Sequence, residues 1–275
     1  MTPSPLLNRS RDAAFLCYHS VHPAGPPFLS LPPDTFERQL ALLRRRGIQA
    51  AGLDALSTMT PGRGRPARQA FLTFDDGFLD NYTHAFPLMR EYGAGGLIFL
   101  LPPAVDGGGS LLWPEVQERH DRHPGVFTSM DWSMVEEMAE HGIDFGSHTL
   151  AHHSLPCLGD EELRQELLDS RSRIRDRLGR CDSLAYPFGH WDARVAAAAA
   201  DAGYSWAFTM PSSAQRAATT LSIPRIAVDH RDDERRFSLK LTSAGRRLLL
   251  SPAKDRLRAG RTLARRVASS ARSAG

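Results

Sequence analysis

Seven short apolar runs alternate with stretches of helical spacing over most of this 275-residue chain. Residues 14–18, 70–74, 97–101, 143–146, 183–186, 205–209 and 223–228 read as buried strands. Between them, Phe36, Leu40 and Leu43 recur at helical spacing within 35–46, behind Asp34 as a cap and ahead of Gly47 as a stop. Residues 82–92 form a second helix candidate, and Asp131 can cap a third over 132–141. The strongest helix is 160–178, with Leu163, Leu167, Ile174 and Leu178 on one face, and 192–202 is alanine-rich. Strands joined by crossover-length segments pair in parallel, and a parallel sheet has to be covered by helices. The pattern predicts one barrel-like α/β domain of about seven strands over residues 12–240, then an Arg/Ala-rich tail over 241–275. Residues 102–128, rich in Gly, Pro and His, are predicted as a loop.

The longest apolar stretches, 97–101 and 195–200, fall far short of the roughly 18 residues that span a bilayer. With 41% hydrophobic and 24% charged residues, wholesale disorder is excluded. The net charge of +3 is unevenly placed. From Lys240 onward ten Lys/Arg stand against one acid, Asp255, so this segment carries +9 and residues 1–239 carry −6. An acidic body argues against nucleic acid as a partner. The basic tail implies at most a weak contact with an anionic membrane surface. Cys17, Cys157 and Cys181 have no paired spacing, and the N-terminal apolar run, broken at Tyr18-His19, makes no signal-peptide core. The expected location is the cytoplasm, peripheral to a membrane if the tail makes that contact.

Three clusters carry chemistry. In Thr73-Phe74-Asp75-Asp76-Gly77 two adjacent carboxylates end an apolar strand, where α/β sites form. Two acids side by side repel unless a cation or a shared proton relieves them, although Asp-Gly alone is also an ordinary turn. In Ser147-His148-Thr149-Leu150-Ala151-His152, histidines four apart on one side of a helical turn can present two imidazoles to one metal ion. Two His and one Asp make a facial set that leaves positions open for water and substrate. Third, Tyr186-Pro187-Phe188-Gly189-His190-Trp191 ends a strand in a rigid turn that can expose backbone N–H groups and an aromatic face. Tyr186, Pro187 and Trp191 are candidates for contact with substrate, and Trp132 and Trp113 for stacking on a sugar ring or for core packing.

The ordered set T-F-D-D-G, H-T-x-x-H and Y-P-F-G resembles the polysaccharide deacetylases, the NodB-homology group of carbohydrate esterase family 4, over roughly residues 12–230. The resemblance implies a distorted (β/α) barrel, a divalent metal, most often Zn2+, and hydrolysis of acetyl groups from an acetylated carbohydrate. It implies Asp76, His148 and His152 as metal ligands, Asp75 as general base and the Phe188 N–H as an oxyanion donor. Family members often carry an arginine before the third motif to tether the base, and here Leu184 and Ala185 stand there. Arg225, in Ile223-Pro224-Arg225-Ile226, is a candidate replacement. The usual late Leu-x-x-His acid is also missing. Phe15-Leu16-Cys17-Tyr18-His19 resembles the Tyr-His element of the poly-N-acetylglucosamine deacetylase branch, which implies His19 as general acid, with His230 as the alternative. Base and acid are expected on opposite sides of the metal. The sugar, and whether an amide or an ester is cut, stay open, as does a catalytically silent carbohydrate-binding relative.

Overall fold

The computed structural model describes residues 13–58, 69–107, 109, 111, 120, 122–123, 125–211 and 219–250. Trp113 and the basic tail beyond 250 lie outside the described residues. The chain runs through β1 (Ala13–Tyr18), β2 (Ser20–Val21), β3 (Ser30–Leu31), α1 (Pro33–Arg45), β4 (Gln49–Ala50), α2 (Asp54–Thr58) and β5 (Gln69–Phe74). It continues through α3 (Phe86–Tyr92), β6 (Gly96–Leu100), α4 (Pro102–Gly107), α5 (Trp132–Glu140), β7 (Ile143–Ser147), α6 (Asp160–Leu178) and β8 (Ser183–Ala185). It ends with α7 (Ala193–Asp201), β9 (Trp206–Thr209), β10 (Ile223–Pro224), β11 (Ile226–Ala227), α8 (Glu234–Leu241) and α9 (Ser243–Leu249).

All strand pairings are parallel, in the order β10-β9-β8-β7-β6-β5-β1-β11, with β4 beside β5 and a separate β2–β3 pair. The two ends of this order are consecutive in sequence, separated only by Arg225. One segment, residues 223–227, thus closes the sheet into a barrel, with Arg225 N–H donating to Thr209 O and Val228 N–H to Cys17 O, both at 2.8 Å. All seven expected strands form, the last split in two at Arg225.

Alternation along each strand sorts side chains into two cores. Phe15 of β1, Phe71 of β5, Leu97 and Phe99 of β6 and Phe208 of β9 fill the barrel, with Phe15 stacked on Phe71 at 4.8 Å. Leu16 and Tyr18, Leu72 and Phe74, and Ile98 and Leu100 face the helices. Gly146 is required at the inward position of β7, because a Cβ there would lie 2.8 Å from the Phe99 ring and 2.3 Å from Ser183 Oγ. The next inward positions, beyond the phenylalanine layer, are Cys17, Thr73 and then His19 and Asp75. They lie at the C-terminal mouth.

Asp131 and Asp192 cap α5 and α7 through the N–H groups of Met134 and Val195. α6 starts and stops as expected, with Asp160, Glu161 and Glu162 in its first turn and Gly179 in the left-handed conformation after its end. Three local expectations are corrected. α1 begins at Pro33, whose fixed φ suits a first helical position, so Asp34 sits inside the first turn and not at the cap. The 82–92 helix opens with a π turn, Asn81–Ala85. The 102–128 loop opens with α4. Beyond residue 240, α9 packs on α8. Among the described residues no helix is long and apolar enough to cross a membrane.

Candidate metal centre

Parallel register carries the site. β1 and β5 pair Cys17 with Thr73 and Tyr18 with Phe74, so the next step faces His19 with Asp75. Asp75 is buried and lies in the fork of Arg225, with Nη1 2.6 Å from Oδ1 and Nη2 2.7 Å from Oδ2. Arg225 Nη1 also donates to Thr73 Oγ1 at 3.0 Å, and its guanidinium lies 5.4 Å above the Phe99 ring. Burial works to raise the Asp75 pKa, but the opposed Arg225 charge wins and holds it well below the usual carboxylate range. Asp75 is therefore ionised throughout any working pH. Cys17, its thiol pushed up by burial, stays protonated and donates to Asp75 Oδ2 at 3.5 Å.

Asp76 turns away from its neighbour because its backbone is left-handed, φ 73°. Its Oδ1 lies 3.4 Å from His148 Nε2 and 3.6 Å from His152 Nε2, and the three ligand-type atoms all fall within 4.8 Å of one another. That oxygen is buried and accepts no hydrogen bond from any described residue. Burial, then the charge of Asp75, pushes the Asp76 pKa well up, so a second anion here calls for a cation. Burial pushes His148 down to about 4 and His152 to about 2, leaving both imidazoles neutral, the form that ligates a metal. His148 Nδ1 lies 2.8 Å from Ala185 O, which orients the ring with Nε2 toward Asp76. Nitrogen, nitrogen and carboxylate oxygen around one orphaned buried acceptor fit a divalent ion of the zinc type.

The histidines do not lie on a helical turn. Residues 148–152 form an irregular loop in which Thr149 and His152 are left-handed, φ 70° and 57°, and the rings meet at 4.9 Å. With Asp76 and Phe188 (φ 58°) these are all the non-glycine residues of positive φ among the described ones. All four belong to the site. Such strain persists only where the surroundings over-determine it, and it collects at functional positions.

His19 is half-buried, with a ring nitrogen within 4.8 Å of the Asp75 carboxylate and the Cys17 thiol. The two candidates for proton transfer therefore stand side by side at the ends of neighbouring strands. Burial lowers the His19 pKa. His230 is exposed, its Nδ1 on the Pro27 carbonyl, and lines a separate cavity of about 250 Å³ with Thr35, Gln39 and Asp232. Among the third-motif residues, Tyr186 is fully buried, its hydroxyl donating to Leu221 O, and Pro187 is buried too. Trp191 stacks on Tyr186 and packs against the helix-side core. Tyr186 and Pro187 are thus buried away from solvent, while Trp191 is half-buried. Trp132 is buried as well. The aromatic face that does open to solvent is Phe188, 42% exposed and 4.6 Å from the His152 ring. Its left-handed backbone, followed by Gly189 against Met210, turns the ring outward.

The family model for polysaccharide deacetylases matches residues 62–207. The chain is similar to the candidate polysaccharide deacetylase YxkH of Bacillus subtilis (strain 168), 27% identical over 216 residues, 78% of this chain and 70% of that one. It is also similar to poly-beta-1,6-N-acetyl-D-glucosamine N-deacetylase of Escherichia coli (strain K12), 23% identical over 82% of this chain, which spans 38% of that protein. In fold it resembles the Streptococcus pyogenes deacetylase PplD, solved with acetate, with a TM-score of 0.71 at 21% identity, covering 83% and 97% of the two chains. The family match runs over β5, β6, β7 and β8 into β9, and so over Asp75, Asp76, His148, His152 and Phe188, while His19 and Arg225 fall outside it. The barrel, the mouth where those side chains meet, and that match agree: the chain belongs to the polysaccharide deacetylase family.

Proposed function

We propose that this protein is a metal-dependent hydrolase that removes acetyl groups from an N-acetylated sugar in a polysaccharide, an oligosaccharide or a glycan precursor. The observation that carries the proposal is the juxtaposition of Asp76, His148 and His152 around one unpartnered carboxylate oxygen, beside an arginine-held Asp75. A divalent ion held by Asp76, His148 and His152, most suitably Zn2+, supplies Lewis acidity toward the acetyl carbonyl and lowers the pKa of a nearby water. Asp75 starts ionised and takes the proton of the attacking water. Arg225 fixes the carboxylate plane, so the remaining lone pairs point to one place. The Phe188 N–H, set by the left-handed turn, supports the charge that develops on the carbonyl oxygen. His19 delivers a proton to the leaving nitrogen, and its closeness to Asp75 gives that proton a short path from the base. The relatives named poly-beta-1,6-N-acetyl-D-glucosamine N-deacetylase favour an amide over an ester.

The test is acetate release from N-acetylglucosamine oligomers, together with metal analysis. Wild-type protein is expected to release acetate and carry one divalent ion per chain, and Asp76→Ala to lose both. Metal content unchanged in Asp76→Ala would refute the ligand set. Release from O-acetylated and not N-acetylated sugars would move the reaction to ester cleavage. Asp75→Asn and His19→Ala are each expected to abolish turnover while the metal stays bound.

A further inference from the structure

In the loop that presents His148 and His152, four of the five backbone amides are held by side chains, two of them by a single residue outside the loop. His148 N–H donates to Leu100 O at 2.7 Å, but none of the next four amide groups pairs with a strand's backbone. Thr149 N–H goes to Ser147 Oγ at 3.0 Å and His152 N–H to Thr149 Oγ1 at 3.2 Å. The two at the apex, Leu150 and Ala151, both donate to one oxygen, Oε2 of Glu166, at 2.8 and 3.2 Å. Glu166 lies on the inner face of α6, 7% exposed, sixteen positions from Leu150 in sequence. Its main chain is tied to the same loop. Ser170 Oγ donates to Glu166 O at 2.6 Å and receives the hydroxyl of Ser147 at 2.8 Å.

A buried carboxylate accepting two charge-assisted amide bonds is worth more than a neutral acceptor. Here those bonds oppose a known strain. Thr149 and His152 are both left-handed without being glycine, a strain that the surroundings must offset. The apex between them is where Glu166 pulls. Released from it, Thr149 and His152 relax toward ordinary backbone, and the two imidazoles lose the separation that brings both Nε2 atoms to Asp76.

We infer that Glu166 is a positioning residue of the metal centre: by clamping the 150–151 apex it sets the spacing of the two imidazoles and hence the affinity for the divalent cation. This rests on the reading of Asp76, His148 and His152 as ligands. Glu166 touches neither the ion nor the substrate. It acts through the loop.

The test uses the full chain, stripped of metal and titrated with Zn2+ against a chromophoric chelator, with Co2+ as a second probe whose visible spectrum reports ligand geometry. Glu166→Leu keeps a buried side chain of similar length but removes the one oxygen that both apex amides share. It is expected to weaken Zn2+ binding about 10- to 100-fold, the usual effect of removing an outer partner of a ligand, and to shift the Co2+ spectrum. Glu166→Asp keeps the charge and withdraws it by one methylene, so it is expected to weaken binding too, which separates position from charge. The melting temperature of the metal-free protein reads any purely structural role, which would lower that temperature and leave affinity and spectrum unchanged. Wild-type affinity and spectrum in Glu166→Leu overturn the inference. If that variant does not fold, wild-type affinity in Glu166→Asp overturns it equally. Equal binding by wild type and Asp76→Ala would instead overturn the ligand reading itself, a result independent of either Glu166 variant.

Discussion

Asp80 is a buried carboxyl group with no charged partner among the causes of its shift, and this makes it a clean probe of the loop behind His19. Its Oδ1 accepts the Val21 N–H at 2.9 Å and its Oδ2 pairs with Ser20 Oγ at 2.5 Å, while Asn81 Nδ2 donates to His19 O at 2.8 Å. Burial raises the Asp80 pKa from 3.8 to about 7, and its hydrogen bonds only partly oppose the rise. The folded protein therefore holds this proton more tightly than the unfolded chain does. Between about pH 4 and 7 the folded state binds the extra proton, so stability falls as pH rises through that window and is level above it. Three pKa units correspond to roughly 4 kcal/mol. Asp80→Asn reproduces the protonated form, with an amide oxygen for Val21 and an NH2 for Ser20 Oγ, and cannot titrate. Urea unfolding of both proteins at about pH 3 to 8 gives the difference between them, in which the contributions of all other groups cancel. The variant is expected to match wild type near the acid end and to exceed it by up to roughly 4 kcal/mol at the alkaline end. Parallel stability curves would show that Asp80 ionises in the fold as it does in the unfolded chain, and the argument would fail.

Arg225→Met leaves Asp75 a buried anion without a partner and is expected to destabilise the fold by about 3–5 kcal/mol. In the Asp75→Asn/Arg225→Met double variant most of that loss is expected to return in urea unfolding, with activity absent. Phe99→Ala removes a fully buried ring between Phe208 and Arg225 and is expected to lower stability by about 3–5 kcal/mol in the same assay. Phe188→Ala changes an exposed ring, so stability should move by no more than about 0.5 kcal/mol. KM for acetylated oligosaccharide should rise, and an unchanged KM would place the sugar elsewhere.

The strands were legible because each is a short apolar run between turn signals, and their inward faces follow from a period of two. That period, counted from Phe15 and Phe71, reaches His19 and Asp75, so the sequence motifs at strand ends translate directly into a barrel mouth. The Asp76, His148 and His152 set was legible from its two-imidazole, one-carboxylate donor chemistry at strand ends and from the family resemblance of the motifs that hold it. Backbone conformation was not. Nothing in Thr149-Leu150-Ala151 signals left-handed residues, and histidines four apart suggest a helical turn that tertiary contacts with α6 override. Tyr186 is buried and the Phe188 ring faces water because a single left-handed residue at 188 turns that ring outward. The Arg225–Asp75 fork joins residues 150 positions apart, and Arg225 was a candidate for it only because the family resemblance calls for an arginine that Leu184 and Ala185 do not supply.

That fork also explains how so slight a closure can hold one register. β10 and β11 have two residues each, and the bonds flanking them are few. A slip of one residue in a strand turns every side chain to the opposite face. Here it would carry Arg225 out of the barrel and leave Asp75 unpaired in the interior, at the several-kcal/mol penalty of an isolated buried charge. A buried ion pair adds little net stability over apolar residues of the same shape. Its effect is on the alternatives: only one placement of 223–227 satisfies Asp75 on β5 while pairing Ile223 with Phe208 on β9 and Ile226 with Leu16 on β1. The residue that orients the carboxylate for chemistry is thus the residue that selects the closed barrel. Replacing both partners of the fork with neutral side chains should therefore leave stability nearly intact while removing both that selection and the chemistry.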